Sequence, residues 1–213
     1  MKLLIRFLFF IIGLFIMTFG VCMTIEVADI GVGAWDALNV ALTERVGLSV
    51  GKWVMIDGAV LMIVVSLLLK RRPDVLSLLT IIVIGTLVDF WLNTLFDLFA
   101  VDVLFAKLAM LLIGILIIGF GASIYLQAKF PQSPIDNFML AIKERFRVNL
   151  MVAKTIGEIT ALIPAFFLNG PISYGTIIIT FAVGPAIQLF FPSFEKLMQK
   201  LQAKDLKFTK VNG

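Results

Sequence analysis

Acidic side chains stand in or beside stretches otherwise built of Leu, Ile, Val and Phe: Asp36, Asp57, Asp89, Asp136 and Glu158. A charge held at the centre of a membrane-spanning helix costs on the order of 3 kcal/mol on insertion scales, so acids kept there are candidates for function. Carboxylates without a matching set of buried bases suit two tasks, binding a cation or passing on a proton after burial has raised their proton affinity. The structural alternative is that each acid is neutral or locally paired. Lys154 and Glu158 stand four apart on one helix, and Lys52 is within reach of Asp36 or Asp57.

Other chemistries find no support. The chain has no histidine and one cysteine, Cys22, which sits in an apolar run as a small packing residue. That removes His-based metal sites, triads and an internal disulfide framework. No HExxH, GxSxG or phosphate-cradling glycine loop occurs, so neither an enzyme, a metal centre nor a cofactor is expected.

The elements that hold these acids follow from composition. With 61% apolar and 15% charged residues in 213, the chain is too apolar for one water-soluble core. Six apolar stretches, at 3–24, 50–69, 76–97, 103–126, 151–169 and 173–192, are each near the roughly 20 residues that cross a bilayer as helix. None alternates polar and apolar as a barrel strand would, so the expected class is all-α with six transmembrane helices. The first stretch follows Lys2 and Arg6 as a signal peptide would, but its length and its internal recurrence near 103–127 predict that it is retained.

Basic residues collect on the cytoplasmic side of such proteins. An inside N-terminus leaves only Arg45, Lys52 and Lys107 of the 18 Lys and Arg outside, and the expected location is the cell membrane with both termini cytoplasmic. The net charge of +4 then reports contact with an anionic inner leaflet, and nucleic acid is not an expected partner.

The chain also repeats itself at an offset of about 100 residues. Gly13 and Gly20 correspond to Gly114 and Gly121, Trp35-Asp36 to Ile135-Asp136, and Ala41 to Arg45 to the run Ala141 to Arg145. Ile56-Asp57-Gly58 faces Ile156-Gly157-Glu158, and Asp89 is replaced by Gln188. Asp89 and Gln188 also suit hydrogen bonding between helices. The four glycines read as points of close helix packing, because seven-residue spacing keeps each pair on nearly one face.

Three spans per half is an odd number, so the second half enters the membrane from the opposite side. The predicted organisation is a three-helix repeat at 1–99, an inverted one at 100–193, and a basic amphipathic tail at 194–213 that rests on the inner leaflet or docks a partner. Inversion puts Asp57 roughly 10 Å below the outer surface and Glu158 roughly 10 Å above the inner one. Each half carries a short segment, Gly33 to Val46 and Pro134 to Arg147, opened by Gly-Val-Gly or Ser-Pro. In the first, Trp35, Leu38 and Leu42 form one face and Asp36, Asn39 and Thr43 another. Such a helix either lies at the interface or re-enters the membrane with its N-terminus toward a central cavity.

The run Gly31-Val-Gly-Ala-Trp35-Asp36-Ala-Leu, followed by Gly47-Leu-Ser-Val-Gly51-Lys-Trp53, resembles the YczE-like members of the bacterial YczE/YyaS/YitT membrane-protein family. The family pattern often has Pro before Trp-Asp; here Ala34 stands there, while Pro134 precedes Ile135-Asp136. The resemblance implies fold and membrane location and assigns no activity.

Inverted halves with intramembrane acids point to a permease for a small, cationic solute or ion, with Asp36, Asp57, Asp136 and Glu158 around its site. The alternative is an accessory membrane component assisting a partner protein, and a homodimer is open in either case. Topology is the first test. In a Cys22→Ala background, cysteines replacing Arg71 and Gly47 should label with an impermeant maleimide from opposite sides, position 71 from the cytoplasm; labelling from the same side overturns the span assignment.

Overall fold

The computed structural model describes residues 2–96 and 101–211, with side chains described for 3–96 and 101–202. Asp97 and the final residues therefore lie outside the described part, as do the side chains of Lys204, Lys207 and Lys210. Among the described residues the chain is all helical. Six helices are long and apolar enough to cross a membrane: Leu3–Glu26, Val50–Leu69, Val75–Thr94, Leu104–Ala128, Leu150–Phe167 and Tyr174–Gln202. Their outward surface is apolar, with Phe105, Phe167 and Phe181 largely exposed, as lipid requires of a surface that water would penalise.

Among the described residues, eight α-helices follow in order: α1 Lys2–Glu26, α2 Ala34–Val46, α3 Val50–Leu69, α4 Val75–Thr94, α5 Leu104–Tyr125, α6 Pro134–Phe146, α7 Leu150–Phe167 and α8 Tyr174–Val211. Local chemistry sets most boundaries. Gly47 ends α2 at a φ of 92° and returns its N–H to the Thr43 carbonyl. Ser133 caps α6, whose first residue is Pro134, and Asn149 caps α7 by accepting from the Val152 N–H at 2.9 Å.

The centre is the crossing of α1 and α5. A β-carbon on Gly20 would meet the backbone of Ile118 and Gly114, one on Gly114 the Gly20 carbonyl, and one on Gly13 or Gly121 the backbone of the opposite helix. Gly13 lies at Tyr125 and Gly20 at Ile118, so the two helices run antiparallel. The packing role expected of all four glycines is what the structure contains.

The short helices cross over. α2 packs on α7 and α6 on α3, while α4 lies on α1 and α8 on α5. Side chains fasten the two ends of the bundle. At one, Arg6 donates to the Ala128 carbonyl at 2.6 Å and Arg71 pairs with Glu144 at 2.5 Å. At the other, Arg45 donates to the Leu168 carbonyl at 3.2 Å and Lys107 pairs with Asp29 at 2.5 Å.

The tail differs from expectation. Rather than a separate helix from 194, α8 continues through Pro185 and Pro192 without interruption. A proline removes one backbone bond but leaves the rest of the ladder intact, and Phe194 meets Phe120 of α5 edge to face with ring centroids 5.0 Å apart. At 29 residues, the Tyr174–Gln202 stretch is roughly 43 Å long, more than a bilayer core needs, so its end projects beyond it.

The α1–α5 crossing makes a stability prediction. Gly20→Val should cost about 2 kcal/mol or more by forcing two backbones apart, whereas Gly184→Ala, where an added β-carbon meets nothing within 4 Å, should change stability by less than about 1 kcal/mol. Thermal unfolding in detergent distinguishes them; equal midpoints would show that the crossing does not hold the bundle.

Candidate functional site

The first turns of α2 and α6 reach the interior from opposite halves and meet across a cavity of about 310 Å³. Both present an aspartate at the third helical position, Asp36 and Asp136. The rest of the wall is mainly apolar, supplied by Val21 of α1, Val54 of α3, Val88 of α4, Ile118 of α5 and Val183 of α8. An amphipathic division of α2 places Asp36 there: Trp35, Leu38 and Leu42 pack with Ala161 and Ala165 of α7, which turns Asp36 and Asn39 to the cavity. The two faces expected of that helix are seen for Leu38 and Leu42 against Asp36 and Asn39, while Trp35 also lines the cavity beside Asp36.

The two aspartates are held differently. Ser133 and Asp136 form a reciprocal cap: the Ser133 Oγ accepts the Asp136 backbone N–H at 3.2 Å and its hydroxyl donates to Asp136 Oδ2 at 2.9 Å. The Tyr125 hydroxyl donates to the same Oδ2 at 3.0 Å. Burial raises the Asp136 pKa, and these hydrogen bonds together with the Lys154 charge oppose that rise. Asp36 has burial alone acting on it, which pushes its pKa up to about 7. One turn on, Asn39 is buried at 1% exposure with no hydrogen-bond partner for its Oδ1 among the described residues.

The other predicted acids are placed elsewhere. Glu158 borders a smaller cavity of about 90 Å³ that Trp35 and Asp136 also line, and there it pairs with Lys154 at 3.6 Å. Lys154 donates to the Thr180 carbonyl at 3.1 Å as well, so the local pairing expected of Lys154 and Glu158 is formed. Asp57 lines neither cavity, and its Oδ2 is buried without a partner among the described residues. Lys52 is exposed and forms no ion pair with Asp36 or Asp57 among the described residues. Of the four acids expected about one site, Asp36 and Asp136 share the larger cavity, Glu158 shares the smaller one with Asp136, and Asp57 stands apart from both. Their depth followed from sequence, whereas their rotation about the helix axes did not.

Asp89 is helix glue: it accepts from the Ser49 hydroxyl at 2.5 Å and the Gly51 N–H at 2.8 Å, tying α4 to the start of α3. Its counterpart Gln188 is exposed on the outer surface of α8. Tyr125 and Ser133, which are not acids, also belong to the site. Ser-Pro-x-Asp before a helix was the available signal for Ser133; for Tyr125 there was none, because its contact spans two helices.

Comparison with known proteins agrees. The family of unknown function DUF6198 matches residues 4–192. This chain belongs to that family. Among similar proteins, the Bacillus subtilis membrane protein YczE is 32% identical over 203 residues, 95% of this chain and 93% of its own length. Protein YyaS of the same organism is 31% identical over 191 residues, 90% and 94% of the two chains. A Haemophilus influenzae protein is 28% identical over 173 residues, 81% and 78%. No solved structure matches the chain. The family resemblance read from one loop and short helix therefore holds along nearly the whole sequence, and this DUF6198 chain is a multi-pass membrane protein.

Asp36 gives the site a pH signature. Its carboxyl, lifted to about 7 in the folded chain from about 4 when unfolded, binds a proton more tightly in the folded state. The stability it contributes is present in full below about pH 4 and is lost as pH rises through about 7. The thermal midpoint of Asp36→Asn should thus gain on that of the wild type between about pH 4 and 7 and level off above; a difference that ignores pH would overturn the assignment.

Proposed function

We propose that this protein is a small secondary transporter of the cell membrane, carrying a small cation through a site shared by two inverted repeats, residues 1–99 and 100–193, with both termini in the cytoplasm. One observation carries the reading: the N-terminal ends of α2 and α6, one from each half, bring Asp36 and Asp136 to a single internal cavity. Inverted halves support it through the antiparallel α1 and α5, equivalent spans in the two repeats, and through the reciprocal packing of α2 on α7 and α6 on α3. A short helix that ends at an internal cavity acts as a re-entrant helix, since an interfacial one would leave its first turn at the surface.

In this mechanism, one half rocks against the other about the α1–α5 crossing, exposing the cavity to each side in turn. Asp36 and Asn39 take up the cargo from the first half, facing Asp136, which Ser133 and Tyr125 hold in place at the start of α6. Asp57, Asp89, Glu158 and Gln188 have no direct part, the first three being internal polar groups off the cavity and the last an outward-facing one.

Reconstituted protein in liposomes should carry a flux of protons, alkali cations or small amines, each measured separately. Asp36→Asn and Asp136→Asn should lower the carried flux by about tenfold or more, while Asp57→Asn retains it. Silence across the whole panel, with a stoichiometric partner co-purifying, would replace the transporter with an accessory membrane component.

A further inference from the structure

The two aspartates of the cavity occupy equivalent places in the repeat, yet every group that serves one is missing from the other. Asp136 has the Ser133 hydroxyl, the Tyr125 hydroxyl and the charge of Lys154. At the matching positions of the first half, by the offsets of 100 and 101 that align the two sequences, stand Gly33, Thr24 and Val54. Glycine has no hydroxyl, and a β-carbon built there would lie 2.8 Å from Asp36 Oδ2, so the carboxylate occupies the space a serine would use. Thr24 spends its hydroxyl on the Val21 carbonyl at 2.8 Å. Val54 lines the cavity as an apolar wall where Lys154 would bring charge.

Asp36 is left with neither a donor nor a cation among the described residues, whose ion pairs are Arg71 with Glu144, Lys107 with Asp29 and Lys154 with Glu158. Asn39, three residues on along the same helix face, adds an amide oxygen that is buried and unpartnered. The Asn39 oxygen is a buried acceptor without a donor, and one turn back the half-buried Asp36 carboxylate lines the cavity with no donor of its own; together they define what is missing, a positively charged group that brings its own N–H donors. Lys154 serves Glu158 and Asp136 together, so Asp36 is the cavity acid with no cation near it among the described residues, and one positive charge matches it.

The rest of the wall fixes the body. Magnesium or calcium asks for six or more oxygens, while this lining offers one free carboxylate and one free amide oxygen amid valines and isoleucines. About 310 Å³ is roughly ten times the share of one water in the liquid and lies at the lower end of small-molecule pockets. Trp35, on the same lining, supplies an aromatic ring to a cation.

We infer that the cavity binds a monovalent organic ammonium compound, its N–H groups donated to Asp36 and Asn39 and its apolar body set against the valine and isoleucine wall. This names the cargo class of the transporter proposed above and rests on that reading only for the passage across the membrane, since the binding site stands on its own geometry.

Equilibrium dialysis of phenethylammonium against the full-length protein in detergent tests it. Saturable binding of one molecule per chain is expected, competed by other primary ammonium compounds with apolar bodies. 2-Phenylethanol, of the same shape without charge, and sodium or magnesium chloride should compete poorly. Asp36→Asn should weaken binding by about 30-fold or more, and Asn39→Leu, which removes the acceptor with little change of volume, by about fivefold.

No saturable binding, equal competition by the alcohol, or unchanged affinity in a folded Asp36→Asn protein would overturn the inference. The competition series needs no variant, so it decides the matter even where a substitution impairs folding. Ammonium binding without flux in liposomes would end the transporter reading and leave the site. Proton or sodium flux blocked by Asp36→Asn, with no ammonium binding, would do the reverse.

Discussion

Two backbones in near contact set the geometry of this molecule. α1 and α5 cross where Gly13, Gly20, Gly114 and Gly121 remove the side chains that would hold them apart. In lipid there is no hydrophobic gain from bringing apolar helices together, so such an approach draws its stability from dispersion over a large contact. The antiparallel pair then has the remaining spans on its flanks, α4 against α1 and α8 against α5, and the short helices α2 and α6 find their places between halves. The cavity is the space this arrangement leaves where the first turns of the short helices face each other.

That space joins opposite electrostatic tendencies. The first turn of a helix exposes unpaired N–H groups and the positive end of its dipole, which favours a carboxylate, while burial in an apolar wall disfavours its charge. Asp136 resolves the conflict with hydroxyl donors and a neighbouring lysine. Asp36 leaves it unresolved, and an unresolved buried acid is what a binding or proton-handling site needs. Three positions separate the two aspartates: Ser133, Tyr125 and Lys154 stand by Asp136, where the matching sequence positions in the first half hold Gly33, Thr24 and Val54.

Similar logic separates the remaining acids. Asp89 is absorbed in joining α4 to the start of α3, and Glu158 is balanced by Lys154. Gly85 of α4 lies against the Gly51 carbonyl of α3, whereas a β-carbon added at its sequence counterpart Gly184 in α8 would meet nothing within 4 Å. α8 runs on as one long helix through Pro185 and Pro192.

The sequence by itself determined the six apolar helices, the two short helices to within a residue or so, the packing role of the four glycines and the face of α2 that carries Asp36 and Asn39. Each follows from length, periodicity or a local capping residue, and these act over a few turns of one chain segment. Only the tertiary structure decided which acids share a cavity, because depth along a helix can be counted from sequence while rotation about its axis depends on what it packs against. It also decided that Tyr125 joins Asp136, that Asp57 stands apart from the cavity, and that the tail continues α8. Those outcomes depend on contacts between segments far apart in the chain, where propensity and spacing carry no information.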